Sequence, residues 1–297
     1  MAEHPHGHHD YHEQRSGSAL RGAAALTLGF AAVEAVGGWW TGSLALLSDA
    51  GHMLTDGAAL ALGAFAASMA RRPPSASHSY GLGRAEIFAA LVNAVAMLVL
   101  VGALAYEAFA RLQEAGPAIK GEWAALIAFA GLALNLALLR RLAPHQHDLN
   151  ARAATLHVVG DALGSVAALV AGVVIALTGW LPIDPIASLV ICALIAVSAV
   201  RLTRESVHAL MEGVPRGLSV EAIGREMASV EGVLSVHDLH VWMLSGSRTA
   251  LSAHVVVGSM HQWERTLRAL QRCLQEKFDI DHVTLQPESG ARPLVRH

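Results

Sequence analysis

Six long apolar stretches constrain this chain more than anything else in it. They cover residues 19–40, 44–70, 86–110, 123–142, 153–179 and 183–201, and each approaches the roughly 20 mostly apolar residues that a helix needs to cross a bilayer. Backbone polar groups in lipid must be satisfied within their own segment, so these stretches are expected to be helices. Composition agrees. Apolar residues make up 54% of the chain and charged residues 15%, against about 25% charged in an ordinary soluble domain. A net charge of −3 offers no basic field for nucleic acid. The two cysteines, Cys192 and Cys273, lie in different kinds of segment and exclude a disulfide-stapled secreted domain. The first stretch follows a polar tail and lacks a small-residue cleavage site, so it reads as a span and not as a cleaved signal.

Positive charge sets the orientation. In a six-span arrangement Arg15, Arg21, Arg71, Arg72, Arg84, Arg140, Arg141, Arg152, Arg201 and Arg204 fall on one side, and only Arg111 and Lys120 on the other. Both termini are therefore expected in the cytoplasm, in a multi-pass protein of the inner (plasma) membrane. Past residue 206 charges become frequent and apolar residues alternate. A helix is expected over 220–230 with Ser219 as its N-cap, then strands over 236–244 and 250–257 around a turn containing Gly246. A helix over 261–278 and a strand over 283–286 follow, giving a small αββαβ, α+β domain. The expected division is a His-rich tail, 1–18; a six-helix, all-α transmembrane region, 19–205; and a cytoplasmic metal-binding and dimerisation domain, 206–297.

Ionisable side chains in the hydrocarbon cost roughly 2.5–3.5 kcal/mol each on insertion scales, so those present need a reason. Span 2 carries Asp49, His52 and Asp56, and span 5 carries His157 and Asp161. Both contain His-x-x-x-Asp, which puts the two side chains on one helical face a turn apart. Two such helices facing each other supply two imidazole nitrogens and two carboxylate oxygens, a four-coordinate donor set that suits zinc. Imidazoles count against calcium and magnesium. One pair alone would read equally well as a buried interhelical hydrogen bond; a matching pair on a second span favours ligation. Asp49 is either an orienting partner of His52 or a helix-end carboxylate. Asn93, Asn135 and Glu34 either line a path or hydrogen-bond between helices.

These motifs resemble a known family. The run Ser43 to Asp56, with Asp49-Ala50-Gly51-His52 at its centre, is similar to the second span of the cation diffusion facilitators. Leu149 to Ser165, with His157-Val158-Val159-Gly160-Asp161, is similar to their fifth. His237-Asp238-Leu239-His240-Val241-Trp242 and Thr284-Leu285-Gln286-Pro287-Glu288 resemble their cytoplasmic domain. The similarity is strongest to the zinc and cobalt–zinc–cadmium resistance type of efflux transporter. It implies a homodimer of six-span protomers with a metallochaperone-like, ferredoxin-like cytoplasmic domain. It also implies export of a divalent cation in exchange for protons: zinc foremost, with cadmium and cobalt as alternative cargoes. His52, Asp56, His157 and Asp161 match the family's transport site one by one. Some relatives bind a further metal between spans 2 and 3 through an Asp and two His. Here Ser75, His78 and Leu82 stand at those positions, and one imidazole does not hold a divalent ion.

In the cytoplasmic domain the expected ligands are His240, His254, His282 and Glu288, with His237 and Asp281 in reserve. The resemblance supports His240, His254 and Glu288 best; scattered surface imidazoles are the alternative. A metal there would draw two domains together and regulate transport. His4, His6, His8, His9 and His12 form a tract that either gathers cytosolic metal or is inert. His-Glu-x-x-His and Walker lysine motifs are absent, so neither a zincin protease nor an ATP-driven pump is expected. No catalytic residue and no organic cofactor are expected; the partners are metal ions, protons, lipid and a second copy of the chain. A passive divalent channel and a membrane metal sensor are the competing classes.

Overall fold

The computed structural model describes residues 9–114, 117–142, 149–245 and 248–290, without the side chains of 9–24, 141–142 and 149–157. Six long helices come first: α1 (His9–Thr41), α2 (Leu44–Ala70), α3 (Ala85–Gln113), α4 (Gly121–Leu142), α5 (Leu149–Thr178) and α6 (Ile183–Leu210). Five of them, α2 to α6, contain stretches long and apolar enough to span a membrane among the described residues. The links α1–α2 and α5–α6 are short because Gly42 (φ 78°) and Gly179 (φ 70°) take left-handed backbone that reverses the chain within a few residues. His4, His6 and His8 lie outside the described residues, and His9 and His12 are described in backbone only.

The described residues form two compact units, 1–61 with 93–201 and 62–92 with 202–297. The first is packed mainly through small side chains. Ala45, Ala124, Ala128, Ala168, Ala171 and Ala199 surround Ile191, Ile195 and Cys192. Lipid supplies no hydrophobic force between helices, so close backbone approach and dispersion hold such bundles together. α4 and α5 approach closest: a Cβ at Gly172 would lie 2.5 Å from the Ala125 nitrogen, and one at Gly121 would lie 2.7 Å from that of Ala176. Large apolar side chains such as Val95, Val99, Phe109 and Phe129 point outward instead.

The second unit holds the α+β domain: α7 (Val220–Ala228), β1 (Val233–Ser245), β2 (Arg248–Val257), α8 (Trp263–Phe278) and β3 (His282–Ser289), with a 3-10 turn before α8. The expected αββαβ order holds. Sheet order is β1-β2-β3, with β1 and β2 antiparallel and β2 and β3 parallel. Three strands are one fewer than in a full βαββαβ ferredoxin-like unit. Ile223 and Met227 of α7 and Leu270 and Leu274 of α8 bury against Val241, Leu251, Val255 and Val257 of the sheet. Ser219 caps α7 as expected, its Oγ accepting from the Ala222 amide at 3.2 Å. β1 is not regular. Its register with β2 shifts between His237 and His240, where Asp238 takes a left-handed φ of 50°.

Candidate functional site

In both α2 and α5 the His-x-x-x-Asp spacing sits in unbroken helix, so each pair shares a face. His52 is the hub. Its Nδ1 stands 3.6 Å from Asp56 Oδ2 on its own helix, and its Nε2 stands 3.8 Å from Asp161 Oδ1 on α5. One ligand atom from each of the three residues lies within 4.8 Å of the others. Two ligands on a tetrahedral zinc, each about 2.0–2.1 Å from the ion, stand about 3.4 Å apart. Each separation is longer than a hydrogen bond, and since one ring gives a single nitrogen to an ion, the shared site is the one in which one atom of each residue lies within 4.8 Å of the others. Asp161 is fully buried, while His52 and Asp56 are each 19% exposed. His157 stands one turn before Asp161 on α5, and its side chain lies outside the described residues. A cavity of about 220 Å³ bounded by α2, α5 and α6 has Asp49, His52 and Gly160 on its wall. Gly160 faces that open space, and a Cβ there would meet nothing within 4 Å.

Around these three residues the helices are joined by buried polar contacts. Ser165 of α5 donates to Asp49 Oδ2 at 3.1 Å, and Asn135 of α4 donates to Ser165 Oγ at 3.3 Å. Asp49 therefore ties α2 to α5, a third role beside the two the sequence suggested. A Cβ at Gly164 would collide with the Asp49 carboxylate. Glu34 of α1 is fully buried beside Gly131 of α4. Asn93 is half-buried, its amide directed at Met97 Sδ at 3.6 Å. Sequence reading passed over Asp184. From the first turn of α6 it accepts from Ser43 Oγ at 2.6 Å and from the Leu44 and Ala45 amides at 2.7 and 3.3 Å. These are the orphan donors at the start of α2. Ser48 and Ser188 join the same two helices one turn further in, at 2.6 Å.

In the α+β domain the cluster is His237, His254 and Glu288, again with one ligand atom each within 4.8 Å. Glu288 bridges the rings: its Oε2 stands 2.9 Å from His237 Nε2 and its Oε1 2.7 Å from His254 Nδ1. Those hydrogen bonds, that of His254 first, hold the Glu288 carboxyl below its usual range. Two imidazoles and a carboxylate are a donor set that fits zinc. His254 and Glu288 are brought together as expected, whereas His240 and His282 are not. The bulge at Asp238 pairs His237, not His240, with His254 across the sheet. His240 turns back to Asp238 Oδ1 at 3.0 Å and is exposed. His282 starts β3 opposite Ala250 and stacks edge-on against Tyr80, ring centroids 5.7 Å apart. Asp238 Oδ2 comes within 3.9 Å of His254 Nε2. In the loop between α2 and α3, His78 is exposed, with its Nδ1 3.0 Å from Ser77 Oγ.

Comparison with known proteins matches residues 20–211 to the family model described as the cation efflux transmembrane domain. Residues 215–290 match that of the cation efflux protein cytoplasmic domain. Zinc transporter ZitB of Escherichia coli (strain K12) is 41% identical over 290 residues, spanning 96% of this chain and 92% of its own. The cadmium, cobalt and zinc/H(+)-K(+) antiporter of Bacillus subtilis (strain 168) is 35% identical over 289 residues, 95% of this chain and 92% of its own. The metal cation efflux system protein CzcD of Cupriavidus metallidurans is 37% identical over 284 residues, 95% and 90% of the two chains.

Proposed function

The chain belongs to the cation efflux family, and from that premise we infer that it exports divalent cations, zinc foremost with cadmium and cobalt as further cargoes, in exchange for protons. The observation that carries this reading is the convergence of His52 and Asp56 from α2 with Asp161 from α5. The cargo is held by those three side chains and by His157, one turn from Asp161. The protein is a six-span membrane protein with both termini cytoplasmic, α1 being the span not counted among the five apolar helices. Its divisions are the tail 1–18, the transmembrane region 19–205 and the cytoplasmic domain 206–297, through which two copies pair.

The ligands themselves exchange metal for protons. Facing the cytosol at neutral pH, unprotonated imidazoles and carboxylates bind the dication. Facing the opposite side, protons compete for the same atoms, and an ordinary histidine titrates near pH 6.5. The glycine-lined cavity beside His52 leaves room for the ion to enter, and the alternation of access links the two faces. His237, His254 and Glu288 form a regulatory site for a resident zinc, which would fix β1, β2 and β3 to one another; His240 and His282 remain outside that set.

Zinc flux into proteoliposomes under an imposed pH gradient, with a pH-sensitive dye inside, tests the reading. Proton movement opposite to zinc, lost in Asp161→Ala, is the expected result. Zinc entry that ignores the gradient would make the protein a channel, and zinc binding without flux would make it a sensor. Deleting residues 2–12 should slow transport only at limiting zinc; an unchanged rate would reduce the histidine tract to an inert tail.

A further inference from the structure

We propose that Glu34 is a proton-carrying group of the exporter, beside the metal site and outside its ligand set, which holds a proton when that site is empty and releases it when a dication binds. This rests on reading His52, Asp56 and Asp161 as the cargo site. Glu34 is 0% exposed, and among the described residues neither carboxylate oxygen has a hydrogen-bond partner. Its place is made by a missing side chain. A Cβ at Gly131 of α4 would lie 2.6 Å from Glu34 Oε1 and 3.3 Å from Ser165 Oγ, so the carboxyl group and the Ser165 hydroxyl border the same gap on α4.

Counting donors identifies what is missing. Asn135 Nδ2 donates to Ser165 Oγ, and Ser165 donates onward to Asp49 Oδ2. That chain runs one way and ends on a carboxylate. Among the described residues it leaves Asn135 Oδ1, Asp49 Oδ1 and both oxygens of Glu34 buried with no donor. An ionised carboxylate only accepts, whereas a protonated one donates. A proton on Glu34 supplies a donor to this cluster and cancels a charge whose burial in hydrocarbon is expensive.

The surrounding field points the same way. The titratable groups on the packed helices are Asp49, His52 and Asp56 of α2 and Arg152, His157 and Asp161 of α5, while α4 carries Glu122 in its first turn and Arg140 and Arg141 in its last, with neutral Asn135 and Gly131 between them. No Lys or Arg occurs in the turns of α1, α2, α4 or α5 around Glu34. With the metal site empty, the neighbouring carboxylates favour the protonated carboxyl. A dication at His52, Asp56 and Asp161 reverses the field. The O–H bond then breaks, the electron pair stays on the carboxylate, and the proton passes to water. The coupling is reciprocal, so protonation of Glu34 weakens metal binding by the same factor.

The test uses the full-length protein in detergent, with zinc alone as the probe. Proton release per zinc bound and the pH dependence of zinc affinity are compared in wild type, Glu34→Gln, Glu34→Asp and Asp161→Ala. Glu34→Gln should bind zinc with unchanged stoichiometry, release about one proton fewer per zinc, and show a correspondingly shallower pH dependence. Glu34→Asp should restore the release. In wild type, the infrared band of a protonated carboxyl group should be present without zinc and lost when zinc is added. Equal proton release in wild type and Glu34→Gln would overturn the proposal. If Glu34→Gln failed to bind zinc at all, the wild-type band would decide: its absence, or its indifference to zinc, would also overturn it. Full zinc binding by Asp161→Ala would instead sink the cargo-site reading, whatever Glu34 does.

Discussion

The intramembrane triad and the cytoplasmic triad use the same residue types and solve opposite problems. His52, Asp56 and Asp161 stand 3.6 to 3.8 Å apart on two helices, with Asp161 fully buried. His237, His254 and Glu288 sit on three half-exposed strand positions and already satisfy one another at 2.7 and 2.9 Å. In the first, the groups are spaced to share something, and the surrounding hydrocarbon penalises leaving their charge unmatched. In the second, the carboxylate bridges both rings, so a metal must displace those hydrogen bonds. One arrangement suits an ion that must come and go with protons; the other suits an ion that adjusts the fold when it is abundant.

The largest expected difference is in transport. Asp161→Ala should lower zinc flux by at least about 100-fold, since a buried carboxylate of the proposed cargo site is lost and its partners are left mismatched. His237→Ala should change flux only severalfold. Equal losses in the same vesicle assay would erase the distinction. Next is stability: zinc at about 100 times its dissociation constant should stabilise the cytoplasmic domain by about 2.7 kcal/mol against denaturant. His254→Ala should remove that gain, and His240→Ala should leave it. Equal sensitivity to His240 would mean that the bulge does not decide which ring binds. Third, His157→Asp should cut the preference for zinc over cadmium roughly tenfold, or ~1.4 kcal/mol, in competitive uptake. An unchanged ratio would mean that the imidazole does not set selectivity. The smallest effect is local. Ser219→Ala should destabilise the cytoplasmic domain by about 1 kcal/mol in urea unfolding and leave zinc flux untouched, because it removes the Ala222 amide's acceptor and belongs to neither triad.

What the sequence discloses here depends on the range of the interaction. His52 with Asp56, and His157 with Asp161, are separated by one helical turn, so their shared faces follow from helix geometry alone. The αββαβ order follows from local periodicity and one cap. The cytoplasmic ligand set depends instead on a single backbone torsion. Strict alternation puts His237 and His240 on opposite faces of β1, and an unbroken register from the His240–Ser252 pair would set Asp238 opposite His254; the left-handed Asp238 shifts that register by one and brings His237 there instead. Asp184 was hidden for another reason. In sequence it looks like an ordinary acid in the first turn of its own helix, yet its partners Ser43 and Leu44 are about 140 residues away. Gly131 likewise shows its purpose only when Glu34 is seen filling the space a side chain would take.

Asp184 has a mechanical consequence. By holding the first amides of α2 it pins that helix at one end. At 1.5 Å per residue, His52 stands about 12 Å along from the pin and Ala70 about 39 Å. A rigid tilt about that fulcrum multiplies distance like a lever: a 1 Å adjustment at the imidazole sweeps the far tip by about 3 Å. Any small shift at His52 would thus be enlarged at the opposite end of the rod, while the Asp184 contact itself stays in place.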